Sequence, residues 1–396
     1  MGILYACHAI ALIPYNENVP TITQPTRILF VYLARPKISR SEMEKDVTEL
    51  WQLVATLGNA TVTDIITQHG SITAATYIGT GKVEEVLAYL ESHPIDTVIL
   101  NGTLTPSQKF KLMKQFWSVN PTIQVWDRVD LILAIFSHHA KTTEANLQIE
   151  LARMHHMGPR IYGMGMELSR QGGGIGTRGI GETNTELMER HWKREIKKVR
   201  DMLDKLTANR KRQMEHRKSM GLQTISIVGY TNAGKTSLFN VLTHKKHLVE
   251  NALFATLDST VGEVYMSSLG KQVVVSDTIG FISNLPPDLI EAFTSTLMES
   301  VHADVVLHVI DAADPDIAEK ILVVSRILDE LHIPEEKEVL VFNKSDAITK
   351  ADRDRIESNI HDIPFVFVSA NTGEGIDTLI TDIFPRYLRP ADHVTH

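Results

Sequence analysis

The chain has 396 residues, long enough for two or three domains, with 43% hydrophobic and 22% charged residues and a formal net charge of −8. This is the composition of an ordinary globular protein; it excludes a surface coated in positive charge for nucleic acid, though not a local basic patch. The single cysteine, Cys7, excludes an internal disulfide framework, and no uncharged apolar run approaches the roughly 20 residues needed to cross a bilayer.

Residues 1–24 read as a leader. The stretch from Met1 to Pro14 is apolar but lacks a basic start and an A-x-A-like cleavage site, and Ala6 stands where a myristoylation signal needs Ser or Thr. Residues 25–137 read as an N-terminal α/β domain. A β-rich run from Ile28 to Leu33 is followed by a helix from Ser41 to Leu57 and a buried strand from Thr97 to Leu100. Thr105-Pro106 then opens another helix, and a further strand covers Ile123 to Trp126. Such alternation favours a parallel sheet in an α/β layer. Within it, Tyr77-Ile-Gly79-Thr-Gly81-Lys82 is too short for a phosphate loop and reads as a turn and helix start.

Residues 138–220 read as a long antiparallel helical hairpin. Leu147, Leu151 and Met154 fall at helical spacing, as do Met188, Trp192, Ile196, Val199, Leu203 and Leu206. Between them, Gly158 to Gly181 is too rich in glycine for regular structure and forms the expected tip. From Glu189 to Lys218, twelve Lys and Arg face five acidic residues. On an otherwise acidic chain that stripe suggests a nucleic-acid backbone as partner, a solvated helix face being the plainer alternative. Arg160, Arg170 and Arg178 on the tip, with Lys193, Arg194, Lys197 and Lys198 on the helix, are the candidate RNA contacts. The pairs His138-His139 and His155-His156 do not form a metal site on this reading. Neighbours on a helix do not share a face, and no cysteine or acidic cluster completes a ligand set.

Residues 221–390 return to α/β alternation, with short β-branched runs at Thr224–Val228, Val273–Ser276, Val305–Ile310, Val339–Phe342 and Phe365–Val368, a last helix near Ile376 to Phe384, and a tail at 391–396. Directly after the first of these strands comes Gly229-Tyr230-Thr231-Asn232-Ala233-Gly234-Lys235-Thr236-Ser237, which contains the phosphate-binding pattern G-x-x-x-x-G-K-[ST] between a strand and a helix. Its backbone N–H groups wrap phosphates, Lys235 sits on the β- and γ-oxygens, and the Thr236 hydroxyl reaches Mg²⁺. Asp277-Thr278-Ile279-Gly280 ends the next strand, with Asp277 placed for Mg²⁺ through water and the Gly280 N–H for the γ-phosphate. Phe281 follows, where many such enzymes carry a water-orienting glutamine, so slow intrinsic turnover is expected. Phe254-Ala255-Thr256-Leu257-Asp258 supplies Thr256 as the switch threonine that closes on the metal. In Asn343-Lys344-Ser345-Asp346 the carboxylate of Asp346 accepts two hydrogen bonds that guanine donates and adenine lacks. Asn343 braces the loop, the Lys344 stem covers a base face, and Ser369-Ala370 offers backbone N–H groups to the guanine carbonyl. These ordered elements specify a Mg²⁺-dependent enzyme converting GTP to GDP and phosphate, with Lys235, Thr256 and Gly280 as its catalytic groups. The fold expected is a P-loop GTPase domain with a doubly wound, mostly parallel sheet.

Beyond these motifs the chain resembles the HflX GTPases. The resemblance lies in Tyr77 to Lys82, Gly172-Gly-Gly-Ile-Gly176 through Arg178-Gly179 to Gly181-Glu182-Thr183, Val228 to Lys235, Leu253 to Asp258, and Asp277 to Phe281; it covers about residues 25 to 385. It implies a cytoplasmic GTPase that binds the large ribosomal subunit and dissociates stalled or idle ribosomes under stress, with subunits stimulating hydrolysis and the hairpin tip reaching ribosomal RNA. It also implies ATP use by the N-terminal domain in some members and, at most, loose membrane association. Three positions depart from the family's pattern: Ser259 and Gly262 around the switch, and Ile180 in the tip. The short tail after Pro385 leaves little room for an extra C-terminal domain. Two alternatives to ribosome dissociation remain: a GTP-gated RNA-binding switch in RNA maturation or ribosome assembly, and an ATP-dependent RNA remodeller in the N-terminal half.

Overall fold

The computed structural model describes residues 25–171, 178–245, 253–254, 260–267, 269–282, 287–360 and 363–388. The chain divides into two compact units, Met1–Ala140 with Asn146–Asp201, and Lys141–Ala145 with Met202–His396.

In the first unit, β1 (Thr26–Ala34), β2 (Ala60–His69), β3 (Thr97–Leu100) and β4 (Gln124–Trp126) form a parallel sheet in the order β2-β1-β3-β4. The continuous apolar run Ile28 to Ala34 is buried throughout, as a central parallel strand requires. The intervening helices are α1 (Arg40–Thr56), α2 (Thr80–Ser92), α3 (Pro106–Phe116) and α4 (Arg128–His139). Three of them start at reciprocal capping boxes, Ser39 with Glu42, Thr105 with Gln108 and Asp127 with Asp130. Tyr77 to Lys82 is the expected turn and helix start, with Gly79 capping α2.

Two long helices follow, α5 (Thr143–Gln171) and α6 (Arg178–Ser219). The glycine-rich stretch therefore holds more regular structure than expected: α5 continues past Gly158 to Gln171, and α6 begins at Arg178. Single glycines spaced among good helix formers cost about 1 kcal/mol each, which a long helix absorbs. Gly158 has a packing reason. A Cβ there would lie 2.6 Å from Trp192 Nε1, and that indole donates to the Met154 carbonyl at 3.1 Å, so the two helices approach closely at this level. Residues 172–177 of the tip lie outside the described residues.

The sequence shows no acidic cluster beside His155-His156, but the fold supplies one. His156 Nε2 lies 3.1 Å from Asp127 Oδ1 and 3.5 Å from Asp130 Oδ1, and Lys109 Nζ approaches Asp130 Oδ2 at 2.6 Å. Burial alone would lower the His156 pKa, but the two carboxylates outweigh it and raise it. Asp127 also accepts from the Leu104 and Asp130 backbone N–H groups, so its oxygens are engaged in tying α5 to the start of α4.

The second unit holds a six-stranded sheet in the order β10-β9-β8-β5-β7-β6. Its strands are β5 (Gln223–Gly229), β6 (Thr260–Met266), β7 (Lys271–Asp277), β8 (Val305–Asp311), β9 (Glu338–Asn343) and β10 (Phe365–Phe367), all parallel except β6, which runs antiparallel to β7. The helices are α7 (Lys235–Thr243), α8 (Pro287–His302), α9 (Ile317–Glu330) and α10 (Lys350–Ser358), and helical turns run from Ile376 to Tyr387. This is the doubly wound, mostly parallel sheet anticipated. Several buried polar pairs are built into the unit: Ser226 with Ser300 at 2.7 Å, His308 Nδ1 with Glu338 at 2.7 Å, and Arg217 of α6 with Glu299 of α8 at 2.8 Å.

Glu299 has a side chain only 4% exposed, so removing its partner strands a carboxylate away from water. Because Arg217 keeps some solvent, Arg217→Ala is expected to cost about 2 kcal/mol rather than the full value for a deeply buried pair. Chemical denaturation measures this, and Glu299→Gln in the same background should recover part of the loss.

Candidate nucleotide-binding site

The site is assembled where β5, β7, β9 and β10 end, the edge at which open parallel sheets bind ligands. β5 runs straight into the phosphate loop. Gly229 has φ 148°, and a Cβ there would come 2.2 Å from the Val309 carbonyl oxygen, so only glycine lets the chain leave the sheet at this point. Asn232 and Gly234 take φ of 63° and 92°, and α7 begins at Lys235 with Thr236 and Ser237 in its first turn. Lys235 is 6% exposed and its Nζ donates to the carbonyls of Gly229 at 3.1 Å and Tyr230 at 2.8 Å. Burial pushes its pKa down to about 8 from the ordinary 10.5, against the opposing pull of Asp277. Tyr230 is buried too, with Lys320 Nζ 4.9 Å from its ring centroid.

Thr236 Oγ1 donates to Asp277 Oδ2 at 2.7 Å. A hydroxyl and a carboxylate so close form the start of an all-oxygen donor set that suits a hard divalent cation. Gly280 is boxed in: a side chain there would meet Thr231 Cγ2 at 2.8 Å and Lys235 Nζ at 2.9 Å. The next residue, Phe281, is 1% exposed and is zipped to the phosphate loop through its backbone. Its N–H donates to Gly229 O at 3.1 Å and its carbonyl accepts from Thr231 N at 2.7 Å. Thr278 faces inward and donates to the Ile227 carbonyl at 2.7 Å, and Ile279 is buried. Their side chains serve the fold.

The loops that follow β5, β9 and β10 meet at Asn343. Its Nδ2 donates to the Ala233 carbonyl at 2.9 Å, and its Oδ1 accepts from the Ala370 N–H at 3.0 Å. Lys344 has φ 63° and its Nζ pairs with Asp311 at 2.6 Å. The Asp346 carboxyl is exposed and is held below the usual carboxylate range chiefly by the Ser369 side chain, with help from its own backbone, Asn371 and Lys344. Ser345 donates to Glu374 at 3.1 Å, and Arg353 clamps the same carboxylate at 2.9 Å. The structure thus gives Ser369 a side-chain role beside Asp346 that the sequence offered only through its backbone. Asp311 and Glu374 are supporting groups with no motif signal.

Two groups of expected residues are not brought into this picture. Ala255, Thr256, Leu257 and Asp258 lie outside the described residues; Phe254 is described, buried, at φ 59°. The side chains of Arg160, Arg170 and Arg178 are likewise outside them. Lys193, Arg194, Lys197 and Lys198 are exposed on α6, two of them in surface pairs with Glu189 and Glu195.

A phosphate loop, a carboxylate facing the loop threonine, and the Asn343-Lys344-Ser345-Asp346 loop at the end of β9 are the pattern of a P-loop GTPase. Residues 44–137 match the family described as "GTP-binding GTPase N-terminal", residues 139–217 "GTP-binding GTPase Middle Region" and residues 224–344 "50S ribosome-binding GTPase". "GTPase HflX" of Caldanaerobacter subterraneus subsp. tengcongensis is 42% identical over 87% of this chain and 78% of its own length, and that of Escherichia coli K12 is 35% identical over 87% and 80%. The chain belongs to the HflX family of GTPases, and it binds and hydrolyses GTP. A solved structure described as "SsGBP and GDP complex" shares the fold, with a TM-score of 0.50 and 24% identity over 91% of this chain and 98% of that one.

Because phosphate favours the charged lysine, GDP binding above pH 8 must carry a proton onto Lys235. Calorimetry in buffers of different ionisation enthalpy should show proton uptake near pH 9 and none near pH 6.5, with GDP affinity falling as pH rises through 8. Asp346→Asn exchanges the acceptor for a donor amide. It is expected to weaken GDP binding by about a hundredfold or more and to admit xanthosine diphosphate, as competitive titration would show.

Proposed function

We propose that this GTPase binds the large ribosomal subunit and uses GTP binding and hydrolysis to dissociate ribosomes, acting in the cytoplasm. The observation that carries the reading is the match of residues 224–344 to a family described as binding the 50S ribosome. Lys193, Arg194, Lys197 and Lys198, exposed on a helix within a chain of net charge −8, support it as a local surface for RNA phosphates. Among the described residues no helix is long and apolar enough to cross a membrane.

In this reading, residues 138–220 form the arm that reaches ribosomal RNA, and residues 221–390 gate it. Mg²⁺ would be held by the Thr236 hydroxyl, with Asp277 beside it, and would neutralise charge on the β- and γ-phosphates. Lys235 binds the same oxygens, and the Gly280 N–H senses the γ-phosphate. Since Phe281 offers only a ring at the usual glutamine position, intrinsic turnover is slow and the subunit acts as the activator.

Steady-state GTP hydrolysis, measured alone, with purified large subunits, and with subunits plus a variant lacking residues 158–181, tests the proposal. A slow basal rate, strong stimulation, and loss of that stimulation without the tip are expected. Unchanged hydrolysis with subunits present, while guanine nucleotide still binds, would move the function to another RNA.

A further inference from the structure

Phe281 leaves hydrolysis without the side chain that orients water in related enzymes, and among the described residues around it few substitutes stand. Ile279 carries no hydrogen-bonding side chain. The Thr278 hydroxyl is committed to the Ile227 carbonyl. Lys235 is a donor only, and Asn232 is exposed. Thr231 is different. It is 6% exposed, and its Oγ1 is buried with no hydrogen-bond partner among the described residues. A buried hydroxyl without a partner is costly, so a fold that keeps one points to a partner that arrives later.

Its position suggests which one. The Thr231 N–H is fixed to the Phe281 carbonyl at 2.7 Å, and a Cβ built on Gly280 would touch Thr231 Cγ2 at 2.8 Å, Lys235 Nζ at 2.9 Å and Thr231 Cα at 3.0 Å. Thr231 therefore lies beside Gly280 and Lys235, the two groups assigned to the γ-phosphate, with its methyl toward Gly280 and its backbone locked to the residue replacing the glutamine.

We propose that Thr231 is a catalytic residue and that its hydroxyl takes the glutamine's place. Oγ1 accepts a hydrogen bond from the attacking water, and its O–H donates a hydrogen bond to a γ-phosphate oxygen. The water oxygen bonds to the γ-phosphorus as the bond to the β–γ bridging oxygen breaks, the electron pair leaves with GDP, and the water's proton ends on the released phosphate. Thr231 keeps its proton throughout and acts by positioning. This rests on the GTPase activity of the family and not on the ribosome proposal.

The test compares wild type with Thr231→Val, which keeps the shape and removes the hydroxyl, and Thr231→Ser, which keeps the hydroxyl. Single-turnover GTP hydrolysis, GDP affinity and Tm are measured for each, with and without large ribosomal subunits. Val is expected to slow hydrolysis by about thirtyfold or more with GDP affinity within about twofold, and Ser to stay within about threefold of wild type. The loss should be the same whether or not subunits stimulate, which separates this inference from the ribosome reading. Val hydrolysing at the wild-type rate would overturn it, as would Ser falling as far as Val, which would assign the effect to the methyl group against Gly280. Loss of GDP binding in Val would overturn it too, placing the hydroxyl in binding rather than in the reaction.

Discussion

The GTPase unit depends on one amide side chain. Asn343 leaves the end of β9 and fastens the phosphate loop through the Ala233 carbonyl and the guanine-side loop through the Ala370 N–H. Both bonds are made by a buried side chain, where a lost partner costs more than a formed bond gains. The same amide dictates its neighbour. A Cβ on Gly234 would lie 2.1 Å from Asn343 Nδ2, so the glycine of the phosphate loop is required by the loop after β9 as well as by its own φ of 92°. The loops after β5, β9 and β10 are thereby held at a fixed spacing.

Around that brace the charges are arranged in opposite ways. Lys235 is held in a buried niche that weakens its hold on its proton. Asp346 is exposed yet keeps its carboxylate readily ionised through Ser369, suited to accepting two donors from a base. One group waits for a charge partner, and the other is always ready.

Much of this was legible in the sequence because the chemistry is local. Gly229 to Thr236, Asp277 to Gly280 and Asn343 to Asp346 each sit in a short run at the end of a strand, and the structure places all three runs at the same edge of the sheet. The features that escaped are long-range or weakly patterned. β2 is an edge strand whose alternation is diluted by Thr, Asp and Gln, and nothing in the helical pattern named α4. Asp127 and His156 are 29 positions apart, and Arg217 and Glu299 are 82, so no spacing rule could pair them. The glycines after Gly158 were read by residue type, whereas Gly158 answers to Trp192, a residue on the facing helix.

The ion pair between the last turn of α6 and α8 has a consequence for salt. Glu299 is almost wholly shielded from water, so added electrolyte reaches its contact with Arg217 far less than it reaches the exposed pairs Lys193 with Glu189 and Lys198 with Glu195. Raising the ionic strength therefore loosens the surface pairs of the helix while its last turn stays fastened to α8.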